Sequence, residues 1–196
     1  MRRLIYVPII HTQIDMGSLS TQLEQEYVKK FGQARWMEHK QAVERIWMEI
    51  EKRLTQLQTP TIQKVYQDGL PVCGKEMELV GDLAKKGSRN HQILLRLAQQ
   101  GAELVGTEDP QLLKEELTII SKEARGERSS PEEYKKGVME RLEKRDNFIA
   151  RRIDETLKPG ETGILFIGML HKVNTRLPKD IQVELFLDHL GQEKKV

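Results

Sequence analysis

The stretch Gly163-Ile164-Leu165-Phe166-Ile167-Gly168-Met169-Leu170 is almost wholly apolar and is followed by a histidine, His171. A second apolar run, from Leu4 to Ile10, lies near the start of the chain and is followed by His11. Short continuous apolar runs are typical of strands that are covered on both faces. The two runs therefore predict two strands of a sheet that has helices packed on each side.

Further strands and the helices between them complete the predicted fold. Asp68-Gly69 is a turn signal that closes the second strand, and Ser130-Pro131-Glu132-Glu133 combines a helix cap with a capping-box glutamate. We predict strands at 4–10, 62–67, 101–108, 163–170 and 181–186, and helices at 18–30, 35–58, 75–86, 89–99, from 110 onward and at 130–157. Strands that alternate with helices indicate an α/β fold, with a mostly parallel sheet of about five strands and helices on both faces.

Length and charge limit the classes of protein to which the chain can belong. We expect one domain over residues 1–196 with a flexible tail at 191–196, because a chain of this length is ample for one core and small for two. Its 32 basic and 30 acidic residues are interleaved. Nucleic-acid binding requires a concentrated basic face, so we expect no nucleic-acid partner.

Cysteine usage and hydropathy suggest where the protein works. Cys73 is the only cysteine, so no internal disulfide can form, and we expect a buried, inert thiol in a reducing compartment. No apolar run approaches the ~20 residues that a membrane span requires. We therefore expect a cytoplasmic protein with no membrane partner.

Polar side chains follow four of the predicted strands at their carboxyl ends. These are His11, Asp68, Glu108 and His171, in chain order. Ligands of open α/β sheets bind outside this end of the strands. Imidazoles and carboxylates are common metal ligands. The sequence therefore predicts a divalent-metal site formed by His11, His171 and a carboxylate from Glu108 or Asp68.

Each of the four residues also has a structural explanation. Asp68 precedes a glycine and can simply shape a turn, and Glu108 can favour the dipole of the helix that Asp109 caps. A lone histidine after a strand is usually structural or solvated. The occurrence of His11 and His171 after two separate apolar runs favours the functional interpretation.

Arg145 gives a separate signal because it falls on the apolar face of its helix. The apolar stripe on that face consists of Tyr134, Val138, Leu142, Ile149 and Ile153. A buried guanidinium needs a partner, which can be Asp146, a strand-end carboxylate or an anionic ligand. We expect Arg145 and Glu108 to be catalytic, with Arg145 holding a substrate carboxylate or stabilising an oxyanion.

The remaining histidines and the known motifs add little. His39, His91 and His189 lie in polar contexts, and we expect them at the surface. The chain has no GxGxxG, P-loop, HExxH or GxSxG motif. This disfavours dinucleotide binding, P-loop NTP hydrolysis, zincin proteolysis and α/β-hydrolase serine chemistry.

Two short motifs resemble those of a known superfamily. Gly168-Met169-Leu170-His171, preceded by a helix with Arg145-Asp146-Asn147-Phe148-Ile149-Ala150, resembles TraB-type pheromone-shutdown proteins, Tiki proteases, ChaN-like haem-binding proteins and EreA-like esterases. In that group one GxxH motif ends an early strand and another ends a late strand, with a glutamate and an arginine between them. The early motif of this chain differs from the GxxH pattern, because Pro8-Ile9-Ile10-His11 has proline in place of glycine. Glu108 and Arg145 match the glutamate and the arginine by their order.

This resemblance implies a metal-assisted hydrolase or, in the haem-binding branch, a tetrapyrrole carrier. The first alternative agrees with the strand-end residues and implies a small-molecule or peptide substrate with a peptide or ester bond. In the second, a non-catalytic domain binds haem or a small ligand, with a histidine as the axial ligand. A third alternative is a homo-oligomeric interaction protein in which the helix face of Trp36 and Trp47 forms the interface.

Overall fold

The computed structural model describes residues 1–12, 15, 20–56, 62–124 and 130–186. The described strands are β1 (Arg2–Ile9), β2 (Lys64–Pro71), β3 (Glu103–Glu108), β4 (Thr162–Gly168) and β5 (Ile181–Leu185). The described helices are α1 (Ser20–Phe31), α2 (Gln33–Gln56), α3 (Glu76–Lys85), α4 (Arg89–Gln99), α5 (Pro110–Ala124) and α6 (Pro131–Thr156). His189, the tail at 191–196 and the predicted start of the first helix at Ser18 lie outside the described residues.

The described strands form one parallel sheet in the order β3-β2-β4-β1-β5. The two apolar runs of the sequence are the neighbouring strands β1 and β4, and the last residue of β1, Ile9, lies opposite Gly168. Both strands lie inside the sheet and are buried along most of their length. The predicted α/β fold is confirmed, and the pairings are parallel throughout the described sheet.

Helices cover both faces of the sheet and form a core on each face. On one face, Val43, Trp47 and Ile50 of α2 pack with residues of α3 and α4. On the other face, Ile149 and Ile153 of α6 pack against the strands. These positions recur at helical spacing, which is why α2 and α6 each bury one stripe.

The tryptophan face of α2 packs against other residues of the same chain. Trp47 is completely buried in the core, its indole N–H donates to the Ile10 carbonyl at 3.0 Å, and Trp36 is also buried. Both tryptophans of this face are therefore buried by residues of the same chain.

The predicted end of the second strand is wrong. It does not close at Asp68-Gly69 but continues to Pro71, with an irregularity in its pairing to β3 between Gln67 and Pro71. Gly69 adopts a φ of +79°, which lets the strand bulge without ending. Asp68 therefore lies within the strand, at the edge of the sheet where the other polar residues converge.

Several burial predictions were also wrong. Cys73 is exposed, because it lies in the loop between β2 and α3. His91 is buried, because it points inward from the first turn of α4 toward Ser88. His39 is half-buried against aromatic rings.

Two apolar segments are more exposed than predicted. Met169 and Leu170, predicted as the end of a strand, lie in an exposed turn. Tyr134 is exposed at the start of α6.

Two helix caps form at the residues that the sequence predicts. Ser130 and Glu133 form the reciprocal capping box of α6, and the Asp109 carboxylate accepts the backbone N–H of Gln111 at 2.7 Å. None of the helices in the described ranges combines the length and the apolar character needed to cross a membrane.

Candidate functional site

The order of the strands brings the four predicted site residues to one edge of the sheet. Glu108 ends β3, Asp68 lies near the end of β2, His171 follows β4 and His11 follows β1. These four strands are neighbours in that order, and all run in the same direction. Their carboxyl ends consequently place two carboxylates and two imidazoles side by side.

Asp68 is the centre of the cluster and is only 6% exposed. Its Oδ2 lies 3.1 Å from Nε2 of His11 and 3.5 Å from Nε2 of His171, and it accepts the backbone N–H of Gly168 at 3.0 Å. Its Oδ1 accepts a hydrogen bond from Nη2 of Arg145 at 2.7 Å. One buried carboxylate thus joins both histidines to the arginine.

His171 is oriented by a second buried carboxylate. Its Nδ1 lies 2.5 Å from Oδ1 of Asp146, whose Oδ2 accepts the backbone N–H of Lys172 at 2.8 Å. A carboxylate at Nδ1 keeps the proton on that nitrogen and turns Nε2 toward the site, as it does for metal-binding histidines. The Tyr6 hydroxyl donates to the His171 carbonyl at 3.4 Å, which fixes the loop after β4.

Arg145 pairs with the strand-end carboxylates, one of the partners that the sequence left open. Its Nη2 donates to Asp68 and to Glu108, at 2.7 Å each, and its Nε lies 3.2 Å from both oxygens of Glu108. Nη1 donates to Glu116 at 2.6 Å. All three nitrogens are engaged by carboxylates, so Arg145 is suited to positioning Asp68 and Glu108 rather than to binding a substrate carboxylate.

Burial and charge displace the pKa values of these groups. Burial opposes ionisation of Asp68, but the hydrogen bond from His11 and the charges of His171 and Arg145 hold the pKa of this carboxyl well below its usual range. Burial alone would lower the pKa values of His11 and His171, but their bonds to Asp68 and Asp146 raise both. Burial raises the pKa of Glu108 in spite of Arg145. The site thus favours positive charge beside Asp68.

Among the described residues, one group of three places its ligand atoms close enough together to hold a metal ion. Ligand atoms of Asp68, Glu108 and His171 lie within 4.8 Å of one another. A cation bound to Glu108, however, would lie beside the Arg145 guanidinium, which contacts both oxygens of that carboxylate. His11 lies outside this group, but its Nε2 and that of His171 lie 3.1 Å and 3.5 Å from Oδ2 of Asp68, whereas Arg145 binds Oδ1. A divalent ion at Oδ2 would therefore be adjacent to both imidazoles.

Gly168, the first residue of the late GxxH motif, leaves room for this convergence. A Cβ built on Gly168 would lie 2.9 Å from Oδ2 of Asp68 and 3.6 Å from Nε2 of His11. The carboxylate can therefore approach the backbone N–H of residue 168 only because no side chain is present there.

Replacing Gly168 by alanine is expected to push the Asp68 carboxylate away from the two imidazoles. We expect a loss of about 1–3 kcal/mol in the free energy of unfolding and weaker metal binding, measured by chemical denaturation and metal titration. Gly81→Ala is the matched control, because a Cβ on this helical glycine meets nothing within 4 Å. If the two variants behave alike, the close approach at Gly168 does not matter.

A second polar cluster joins Thr12 and Asp15 to the start of α4. The Asp15 carboxylate accepts the Ser88 hydroxyl at 2.5 Å and lies 3.2 Å from Nδ1 of His91, and it also accepts the Thr12 N–H at 2.7 Å. Although these are serine, histidine and aspartate side chains, Ser88 is fully buried and caps α4. The cluster therefore holds Asp15 against α4, and its buried serine acts as a helix cap.

Sequence reasoning missed Asp146, Glu116 and this second cluster as parts of the site. The sequence offers Asp146 only as a partner of its neighbour Arg145, whereas in the structure it contacts His171, 25 positions away. Glu116 lies on α5, and no sequence pattern linked it to Arg145 on α6. The buried position of Arg145 on its helix was the one signal that pointed to such a network.

A cavity of about 420 Å³ opens beside the cluster, between α1 and α2. His11 lines this cavity, and its side chain is 32% exposed, whereas those of Asp68 and His171 are almost completely buried. Access to the cluster from solvent is therefore on the side of His11.

Comparisons of the chain with models of protein families, with curated proteins and with solved structures give no significant match. The resemblance to the TraB, Tiki, ChaN and EreA-like superfamily therefore stays a prediction, and the function is inferred from the geometry of the site.

Proposed function

We propose that this protein hydrolyses peptide or ester bonds with the help of a divalent metal ion held by His11, His171 and Asp68. The observation that carries the proposal is the convergence of both Nε2 atoms on Oδ2 of Asp68, at 3.1 Å and 3.5 Å. Three protein ligands leave an open coordination position, which is typical of catalytic rather than structural metal sites. An ion bound there would supply a Lewis acid and activate water near neutral pH.

The surrounding residues fit this role. Asp146 holds His171 through Nδ1 and leaves Nε2 free to act as a ligand. Arg145 and Glu108 form a positioning pair, in which the guanidinium binds Oδ1 of Asp68 and leaves Oδ2 facing the imidazoles. His11 lies at the open side of the cluster, where a substrate in the cavity would arrive.

The charge of the site also favours a divalent cation. Asp68 stays ionised, and both imidazoles have raised pKa values. The neighbouring carboxylates thus favour positive charge at both imidazoles. A divalent ion at Oδ2 of Asp68 would supply positive charge at the same place.

Metal analysis tests the proposal most directly. The protein is purified without chelator or affinity tag, and its metal content and absorption spectrum are measured for the wild type and for His11→Ala and His171→Ala. We expect about one divalent ion per chain in the wild type and loss of the ion in each variant. His39→Ala, a histidine outside the cluster, serves as the control and should keep the ion.

Two results would overturn the proposal. One is retention of metal by the folded double variant His11→Ala, His171→Ala. The other is a folded wild type that takes up no Zn²⁺, Mn²⁺ or Co²⁺ in titrations. A haem absorption band that disappears in the His11→Ala variant would assign the site to the carrier alternative instead.

A further inference from the structure

We propose that the cavity between α1 and α2 is the recognition pocket of the site, and that it takes an aromatic or large apolar side chain whose own residue carries a free carboxylate. The substrate class would then be N-acyl derivatives, including peptides, that end in such a residue. This proposal rests on the proposed function for the bond that is cut, but the binding of the ligand does not depend on a metal.

The cavity and the histidine cluster share one residue. His11 lines the cavity, and its Nε2 lies 3.1 Å from Oδ2 of Asp68. The volume of about 420 Å³ lies within the range of small-ligand sites. A ligand that fills the cavity would therefore have its adjoining bonds next to the site.

One wall of the cavity consists of aromatic rings. The Tyr27 ring centroid lies 5.2 Å from that of Trp36 and 5.4 Å from that of His39, and the Trp36 and His39 centroids are 5.7 Å apart. The Trp36 indole N–H donates to Glu24 at 2.7 Å, so its polar atom is satisfied. Such a surface favours stacking with an aromatic group of a ligand.

Helix α1 covers this cavity without closing it. None of the residues of α1 is fully buried, although Leu23 and Tyr27 turn apolar side chains toward the cavity. The helix packs mainly on α2. An apolar helix face that stays partly exposed inside a cleft next to a polar cluster is what a ligand pocket requires.

Charged side chains at the cavity indicate which group the ligand should carry next to its aromatic side chain. Glu44 pairs with Arg89, which also binds Glu51. The Lys40 ammonium lies 5.6 Å from the Trp36 ring centroid and forms no ion pair with a carboxylate in the described part of the chain. A cation above the aromatic wall is complementary to a carboxylate attached to a residue whose side chain lies on that wall.

The reaction of such a ligand is a simple hydrolysis. The hydroxyl of a water molecule joins the acyl carbon, the carbon–nitrogen bond breaks, and the remaining proton goes to the nitrogen. The products are a carboxylic acid and the free aromatic amino acid. No oxidant, reductant or further reactant is needed.

The binding test uses protein that has been treated with EDTA, so that no metal is required. The probes are N-acetyl-L-phenylalanine, its carboxamide and N-acetylglycine, with binding followed by tryptophan fluorescence and by ligand-observed NMR. We expect N-acetyl-L-phenylalanine to bind about tenfold more tightly than either of the others.

Two variants separate the parts of the pocket. Lys40→Gln should remove the preference for the carboxylate over the carboxamide, whereas Lys52→Gln, an exposed lysine on the same helix, should keep it. Leu23→Trp should fill the cavity from α1 and abolish binding of all aromatic probes. Circular dichroism spectra identical to the wild type would show that each variant is folded.

The outcomes distinguish this proposal from the proposed function. Equal binding of the three probes, or unchanged binding in Lys40→Gln and Leu23→Trp, would overturn the pocket even if the protein binds metal. Carboxylate-dependent binding by a protein that neither takes up metal nor releases phenylalanine would support the pocket and overturn the hydrolase.

Discussion

Replacing Arg145 by alanine is expected to lower the free energy of unfolding by about 3–5 kcal/mol, because it leaves buried carboxylates without their cation. The guanidinium lies between Asp68 and Glu108, and both carboxylates are almost inaccessible to solvent. Removal of the positive charge leaves their mutual repulsion uncompensated. Chemical denaturation followed by circular dichroism measures the loss.

Two further variants check this explanation. Lys144→Ala changes the exposed neighbour of Arg145 on α6 and should alter stability by no more than about 0.5 kcal/mol. Arg145→Met combined with Glu108→Gln removes both charges of the pair and should recover part of the loss seen for Arg145→Met alone. A loss for Arg145→Ala no larger than for Lys144→Ala would contradict the network described for Asp68 and Glu108.

An Asp146→Asn substitution is expected to weaken metal binding about 10–100-fold, as is typical when the carboxylate behind a metal-binding histidine is removed. Asp146 lies 2.5 Å from Nδ1 of His171 and is itself buried. An amide keeps the shape of the carboxylate but loses its charge, so the imidazole becomes a weaker ligand and its orientation is less well fixed. Competition titration of Zn²⁺ against a chromophoric chelator measures the affinity.

The matched control for Asp146→Asn is Glu140→Gln, an acid-to-amide change at an exposed position of the same helix that pairs only with Lys136 among the described ion pairs. Its metal affinity should equal that of the wild type. Nitrogen chemical shifts of the His171 ring provide a second readout, because Asp146→Asn should release the preference for a proton on Nδ1. Equal affinities and equal ring shifts in the two variants would exclude a role for Asp146 in orienting His171.

The fold was largely predictable because the signals for its elements are local. The apolar runs of β1 and β4 and the capping box at Ser130 are read from neighbouring residues alone. The end of β2 was not predictable, because Asp68-Gly69 has the same sequence signature in a turn and in a bulge. The pairing of β2 with β3, which resumes at Pro71, decides in favour of the bulge.

The sequence by itself determined which residues follow the strands, and hence that His11, Asp68, Glu108 and His171 could meet at one edge of a parallel sheet. Only the tertiary structure decided the strand order and the partners of each charge. Arg145 forms ion pairs with the strand-end carboxylates Asp68 and Glu108, and Asp146 binds the ring of His171. The physical reason is that helix and strand signals act over a few residues, whereas buried charges pair with whichever opposite charges the packing of distant elements brings within reach.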